Sequence, residues 1–175
     1  SEIRRGNVIT GFAYPEQPEF FAVWLRNLDN SGLIIKEGRK VLVIHGTTET
    51  EAIVRPFDND GIAPGRQGPA IIKSTEPLAA FVTDNFILRL PTPQVTIGGG
   101  KILDILDYYP RRKDLPKMQD YLEQRNTGGL KELVLTELDK RLFSSIENFL
   151  KYSNFSRENI ESEIDRLIDK KEIVK

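Results

Sequence analysis

Cysteine is absent from the chain, which excludes disulfides, zinc–thiolate sites and thiol nucleophiles and fits a cytoplasmic address. Histidine occurs once, at His45. A lone histidine with no cysteine partner and no Ser or Asp constellation is a poor basis for catalysis, so no enzymatic activity is expected. No apolar run approaches the ~20 residues of a membrane span, and no signal peptide is visible, so no membrane partner is expected. Charge of one sign is also missing. A formal net charge of −1 over 175 residues argues against a strongly basic nucleic-acid binder while leaving room for a local patch. The phosphate-cradling Gly-x4-Gly-Lys-Ser/Thr loop is absent, so no nucleotide is held by that means. Methionine occurs once, at Met118, so Ser1 is not the expected start of translation and the chain reads as a piece of something longer.

What is present is a hydrophobic fraction of 39% with 29% charged residues, ordinary for a globular protein of one large or two small domains. The organising stretch is residues 86–104. Apolar runs at 86–90 and 95–97 flank the loop Pro91-Thr92-Pro93-Gln94 and predict a β-hairpin. The second strand meets Gly98-Gly99-Gly100, which permits a bulge or a close approach of backbone. Strand character ends near Asp104. Further strands are predicted at 19–28, 40–45, 47–54, 69–74 and 78–82, with a strand-like opening at 3–9 and Gly/Pro punctuation between them. The pattern predicts an all-β antiparallel barrel or sandwich. Asp58-Asn59-Asp60-Gly61 begins like a calcium loop but meets Pro69 where a later glutamate is needed, so a plain turn is predicted.

After Tyr108 the composition turns helical. A basic connector, Tyr109-Pro110-Arg111-Arg112-Lys113-Asp114, leads to a helix predicted over 115–125, with Asp114 as its cap and Pro116 in its first turn. Helices are predicted at 131–141, from Ser144 with Glu147 as a capping box, and from Ser156 through Lys171. Ile160, Ile164, Leu167 and Ile168 form one apolar stripe of the last helix. Ile173-Val174 resumes β character. Three short helices followed by a strand form a winged-helix pattern, with its wing cut short.

Phe86-Ile87-Leu88-Arg89, a short loop and Thr96-Ile97-Gly98-Gly99-Gly100 resemble the closing hairpin of the third domain of elongation factor Tu. In that family an aromatic, two apolar residues and Arg precede a tight loop and Thr-Val-Gly. Arg5-Gly6-Asn7-Val8 matches the Arg-Gly-x-Val that opens this domain in translational GTPases. Thr47-Thr48-Glu49 and Ala63-Pro64-Gly65 fall where elongation factor Tu has Thr-Thr-Asp and Met-Pro-Gly. The run Gly100-Lys101-Ile102-Leu103-Asp104, the Arg-Arg-Lys connector and the winged-helix pattern look more like the SelB branch, the bacterial selenocysteine-specific elongation factors. The resemblance covers the whole chain, although residues between Tyr14 and Glu37 depart from elongation factor Tu. It implies a domain-three-like barrel over 1–106, a connector and helix over 107–127, and a winged-helix domain over 128–175.

The resemblance also implies partners: selenocysteinyl-tRNA, with the mRNA hairpin and ribosome reached through the parent protein. GTP and magnesium would belong to a G domain missing from this chain, and a monomer is expected. Holding an acceptor arm requires Arg, Lys and small polar donors on a rigid rim. The matching loop points to Thr92 and Gln94 with Arg89 beside them. The strand end His45-Gly46-Thr47 and the turn at Arg66 match other tRNA-facing segments. Arg89 paired with a carboxylate inside the barrel is the competing reading. Arg111 and Arg112 are either RNA contacts or part of a solvated hinge. The last helix exposes Arg157 among Glu158, Glu161, Glu163 and Asp165, a balance that repels phosphate. It therefore predicts a spacer rather than a groove reader. The alternative is a winged-helix DNA-binding regulator with a β-barrel ligand or protein-interaction domain.

Overall fold

The computed structural model describes residues 18–140, 149–150 and 152–173. Its strands are β1 (Phe20–Asn27), β2 (Arg39–His45), β3 (Thr48–Pro56), β4 (Gln67–Ser74), β5 (Asn85–Arg89) and β6 (Thr96–Leu106). They close an antiparallel barrel in the order β1-β4-β3-β2-β5-β6, with β6 returning to β1. Alternation drives the closure. In β3, Thr50, Ala52, Val54 and Pro56 face inward while Glu49 and Glu51 face solvent, the period of two that a half-buried strand demands. Phe21, Val23, Leu25, Val41, Val43, Ile72, Leu88 and Ile97 fill the interior.

The predicted hairpin of β5 and β6 is present, and β6 continues two residues past Asp104 to Leu106. Its glycines answer a close approach of strands. A Cβ on Gly98 would lie 2.5 Å from the carbonyl oxygen of Arg26, and one on Gly99 2.6 Å from that of Phe86. On Gly100 it would overlap the carbonyl oxygen of Trp24.

The strand predicted at 78–82 is not one. Leu78, Ala80 and Val82 are buried, but only Val82 pairs, in a parallel bridge to Ser153. The alternation is genuine, yet the barrel is already closed and offers no free neighbour, so the segment plugs one end instead.

Among the described residues three α-helices follow: α1 (Leu115–Thr127), α2 (Leu130–Lys140) and α3 (Arg157–Asp169). Leu115, Met118 and Leu122 of α1 pack on Ala22, Ile71, Leu103 and Leu106, across the outer wall of the barrel. Asp114 does not cap α1. Its side chain makes no bond to the helix and instead accepts from Arg111 Nε at 3.0 Å, while a 3-10 turn over Arg112–Asp114 feeds the helix. Ser156 does cap α3, accepting from the Asn159 amide at 3.2 Å. Phe149 and Leu150 are buried in a turn. The helix predicted from Ser144, the opening 3–9 with its Arg5-Gly6-Asn7-Val8 match, and Val174 lie outside the described residues. Ile173 sits in a bend rather than a strand.

Candidate nucleic-acid interface

The register divides the loops between two ends of the barrel. In the antiparallel pair of β2 and β5, Ile44 faces Ile87 and Leu42 faces Arg89. The loops β1–β2, β3–β4 and β5–β6 therefore share one end, here the loop end. The β2–β3 turn, the 75–84 connection and the departure of β6 share the other, the arm end.

Arg66, Arg89, Thr92 and Gln94 belong to the loop end. Thr92, Gln94 and Arg66 are exposed, and Thr92-Pro93 is a cis peptide. Arg89 is half-buried, and no carboxylate among the described residues pairs with it. It donates from its guanidinium to the carbonyl oxygen of Gln94 at 3.2 Å, spanning its own hairpin loop, while its buried Nε has no acceptor. Arg89 thus shapes the loop from beneath. Arg66 is held through its backbone, whose carbonyl accepts from the Asn27 amide at 2.9 Å, leaving its side chain directed by solvent. Asn27, fully buried, donates from Nδ2 to the carbonyls of Leu33 and Ile62, each at 2.8 Å. One amide thereby ties two loops of this end together, and the Ile35–Ile62 bridge reinforces it.

His45 and Thr47 lie at the arm end, away from that group. At ~3.3 Å per strand residue, the span of β5 alone sets them roughly 10 Å or more from the hairpin loop. Thr47 is exposed in the turn. His45 Nε2 lies 2.9 Å from Asp84 Oδ2, and the other oxygen of Asp84 accepts from Asn154 Nδ2 at 2.7 Å. His45 therefore joins the barrel to the helical segment.

Arg111 and Arg112 part company as well. Arg111 is exposed and paired to Asp114. Arg112 is folded onto the barrel, donating to Glu37 Oε2 at 3.3 Å, to the Pro56 carbonyl at 3.1 Å and to Asn59 Oδ1. Within the connector, Arg112 is thus held against the barrel while Arg111 and Lys113 stay exposed. Asn59 serves Arg112 and Asp58 accepts the Asp60 amide at 2.9 Å, so the Asp58–Gly61 segment is a turn. No group of three or more metal-ligating side chains occurs among the described residues.

Sequence reading missed the seam under the arm. Arg125, 2% exposed, faces Asp104 at 4% and Glu137 at 5%. Its guanidinium lies 3.0 Å from Asp104 Oδ1 and 2.8 Å from Glu137 Oε2, and Nε donates to Thr136 Oγ1 at 2.8 Å. Lys140 reaches both carboxylates, at 2.5 Å and 3.2 Å. Burial pushes the Asp104 carboxyl up, but Arg125 and Lys140 outweigh it and hold the group below its ordinary range. Burial, helped by Asp104, raises the Tyr121 phenol far above its ordinary value. The signal was there: Arg125 continues the apolar stripe Leu115, Met118, Leu122, and Asp104 interrupts the run Ile102-Leu103-Asp104-Ile105-Leu106.

No protein-family model matches the chain. It is similar to the selenocysteine-specific elongation factor of Desulfomicrobium baculatum, with 28% identity over 141 residues, which are 79% of this chain and 22% of that protein. The chain thus spans less than a quarter of that relative's length. Among solved structures it is similar to Sup35 complexed with GDP, with a TM-score of 0.43 and 16% identity over 51% of this chain and 26% of that one.

Proposed function

We propose that this chain is part of a selenocysteine-specific translation elongation factor. Its barrel helps to hold selenocysteinyl-tRNA. Its helices contribute the first winged-helix module, which carries further modules toward an mRNA hairpin and the ribosome. The observation that carries the reading is the exposed closing-hairpin loop, Thr92 to Gln94, standing at the same barrel end as Arg66. Similarity to a selenocysteine-specific factor over 79% of the chain supports it. Thr92 and Gln94 offer small polar donors to ribose and phosphate, and Arg66 offers an exposed positive charge.

The work of this chain is binding and positioning. It has no phosphate loop, so GTP and magnesium would be held elsewhere in a parent protein, in the cytoplasm. Helix α3 repels rather than reads nucleic acid: Arg157 is neutralised by Glu161 at 2.9 Å and Arg166 by Glu163 at 2.6 Å, leaving Glu158 and Asp165 exposed.

The test is a titration with a tRNA bearing a long acceptor arm, and with duplex DNA, across a range of salt. Salt-dependent tRNA binding that weakens in Arg66→Ala, with the log–log slope reduced by about one unit, supports the reading. Absence of such binding, both in this chain and in one joined to its N-terminal domains, overturns it. Tighter binding to duplex DNA favours the transcription-regulator alternative.

A further inference from the structure

Arg112 and Arg55 make a reciprocal pair. Arg55, on β3, donates to the connector carbonyl of Pro110 at 2.8 Å, and Arg112, on the connector, donates to the β3 carbonyl of Pro56 at 3.1 Å. Both share one carboxylate: Glu37 Oε1 lies 2.6 Å from Arg55 Nε and Oε2 lies 3.3 Å from Arg112. Arg112 also holds Asn59, and Arg55 stacks over the Tyr109 ring, 4.1 Å from its centroid. Glu37 belongs to the β1–β2 loop and Asn59 to the β3–β4 loop, which also carries Arg66. These are the two loops that Asn27 ties from the core side.

We infer that Arg112 and Arg55 form a clamp that fixes two loops of the barrel's loop end to the connector, so the docked helical arm sets the shape of the RNA-facing rim. The second half of this statement rests on the proposed tRNA reading; the first does not. Arg112 is then a positioning residue. A planar guanidinium reaches three acceptors at once, which a lysine ammonium on its flexible stem does not reproduce.

Two measurements on the whole chain test the clamp. In free protein, Arg112→Ala is expected to speed hydrogen exchange at the amides of Ile35, Gly61 and Ile62 about tenfold, as the charged hydrogen bonds holding the loops are lost. The Leu133 amide should stay as it is. Unchanged exchange at all of these overturns the clamp. In tRNA titrations, Arg112→Lys should weaken binding about as much as Arg112→Ala, by up to about tenfold, with the salt slope unchanged. Glu37→Gln should also weaken binding, although it removes a negative charge. If Glu37→Gln instead tightens binding, and Arg112→Lys behaves as wild type while Arg112→Ala loses slope, then Arg112 touches phosphate and the clamp is overturned. If neither the wild-type chain nor one joined to its N-terminal domains binds tRNA, the tRNA reading fails and the exchange measurement alone judges the clamp.

Discussion

Arg125 carries a guanidinium into a seam where water cannot follow, between the outer wall of β6 and helix α2. Such a group is tolerable only because Asp104, Glu137, Thr136 and the Leu103 carbonyl accept from it. Removing Arg125 leaves Asp104 and Glu137 with the less buried Lys140 but takes away the cation set between them, and a broken buried pair costs about 3–5 kcal/mol. Arg125→Met is therefore expected to lower stability by that amount in a urea melt, while replacing Arg125, Asp104 and Glu137 together by apolar residues should recover most of it. The same seam sets an acid limit. Asp104 has its folded value held below the ordinary 3.8. The stability it contributes is fully present above that ordinary value and is lost as pH falls through the folded one. Wild type should lose stability below about pH 4 more steeply than Asp104→Asn, measured as unfolding midpoint against pH. Equal slopes would mean the seam is not the acid-sensitive element.

Elements show which sequence signals carry structure. Strands β2, β3 and β4 were legible because alternation and β-branched runs are local properties. The segment 78–82 shows the limit: alternation says which side faces the core, but not whether a neighbouring strand remains to be paired. The glycines of β6 were legible as a place where backbones come close, though not which backbones. That assignment is testable. A methyl on Gly100 overlaps the Trp24 carbonyl of β1, whereas one on Gly68 meets nothing within 4 Å. Gly100→Ala is expected to cost on the order of 3 kcal/mol or to prevent folding, because backbone must move. Gly68→Ala should be neutral or stabilising by about 0.5 kcal/mol. Thermal melts of the two variants decide it, and a harmless Gly100→Ala would refute the strand packing. Of the helix starts, Ser156 was readable from its own chemistry. Asp114 was not, because Arg111 competes for its carboxylate three residues away.

At the scale of the molecule, what the sequence could not supply was which loops share an end. Matches at His45, Thr47, Arg66, Arg89, Thr92 and Gln94 are equivalent along the chain, but the barrel separates the first two from the rest. The separation makes a prediction that resemblance alone does not. His45 joins Asp84, and through it Asn154 of the helical segment, in the same place where the Val82 amide donates to the Tyr152 carbonyl. His45→Ala removes one partner of a half-buried carboxylate and should loosen this docking. It should lower stability by about 1–2 kcal/mol and speed exchange at the Val82 amide. Affinity and salt slope for tRNA should stay as in wild type, because the loop end keeps its two ties, Asn27 inside and Arg112 outside. Arg66→Ala should do the reverse, leaving stability within about 0.5 kcal/mol while lowering the slope by about one unit. The two variants form a crossed pair measured in the same pair of assays. If His45→Ala reduced the slope as Arg66→Ala does, the bound RNA would have to span both ends of the barrel, and a rim confined to the loop end would be the wrong surface.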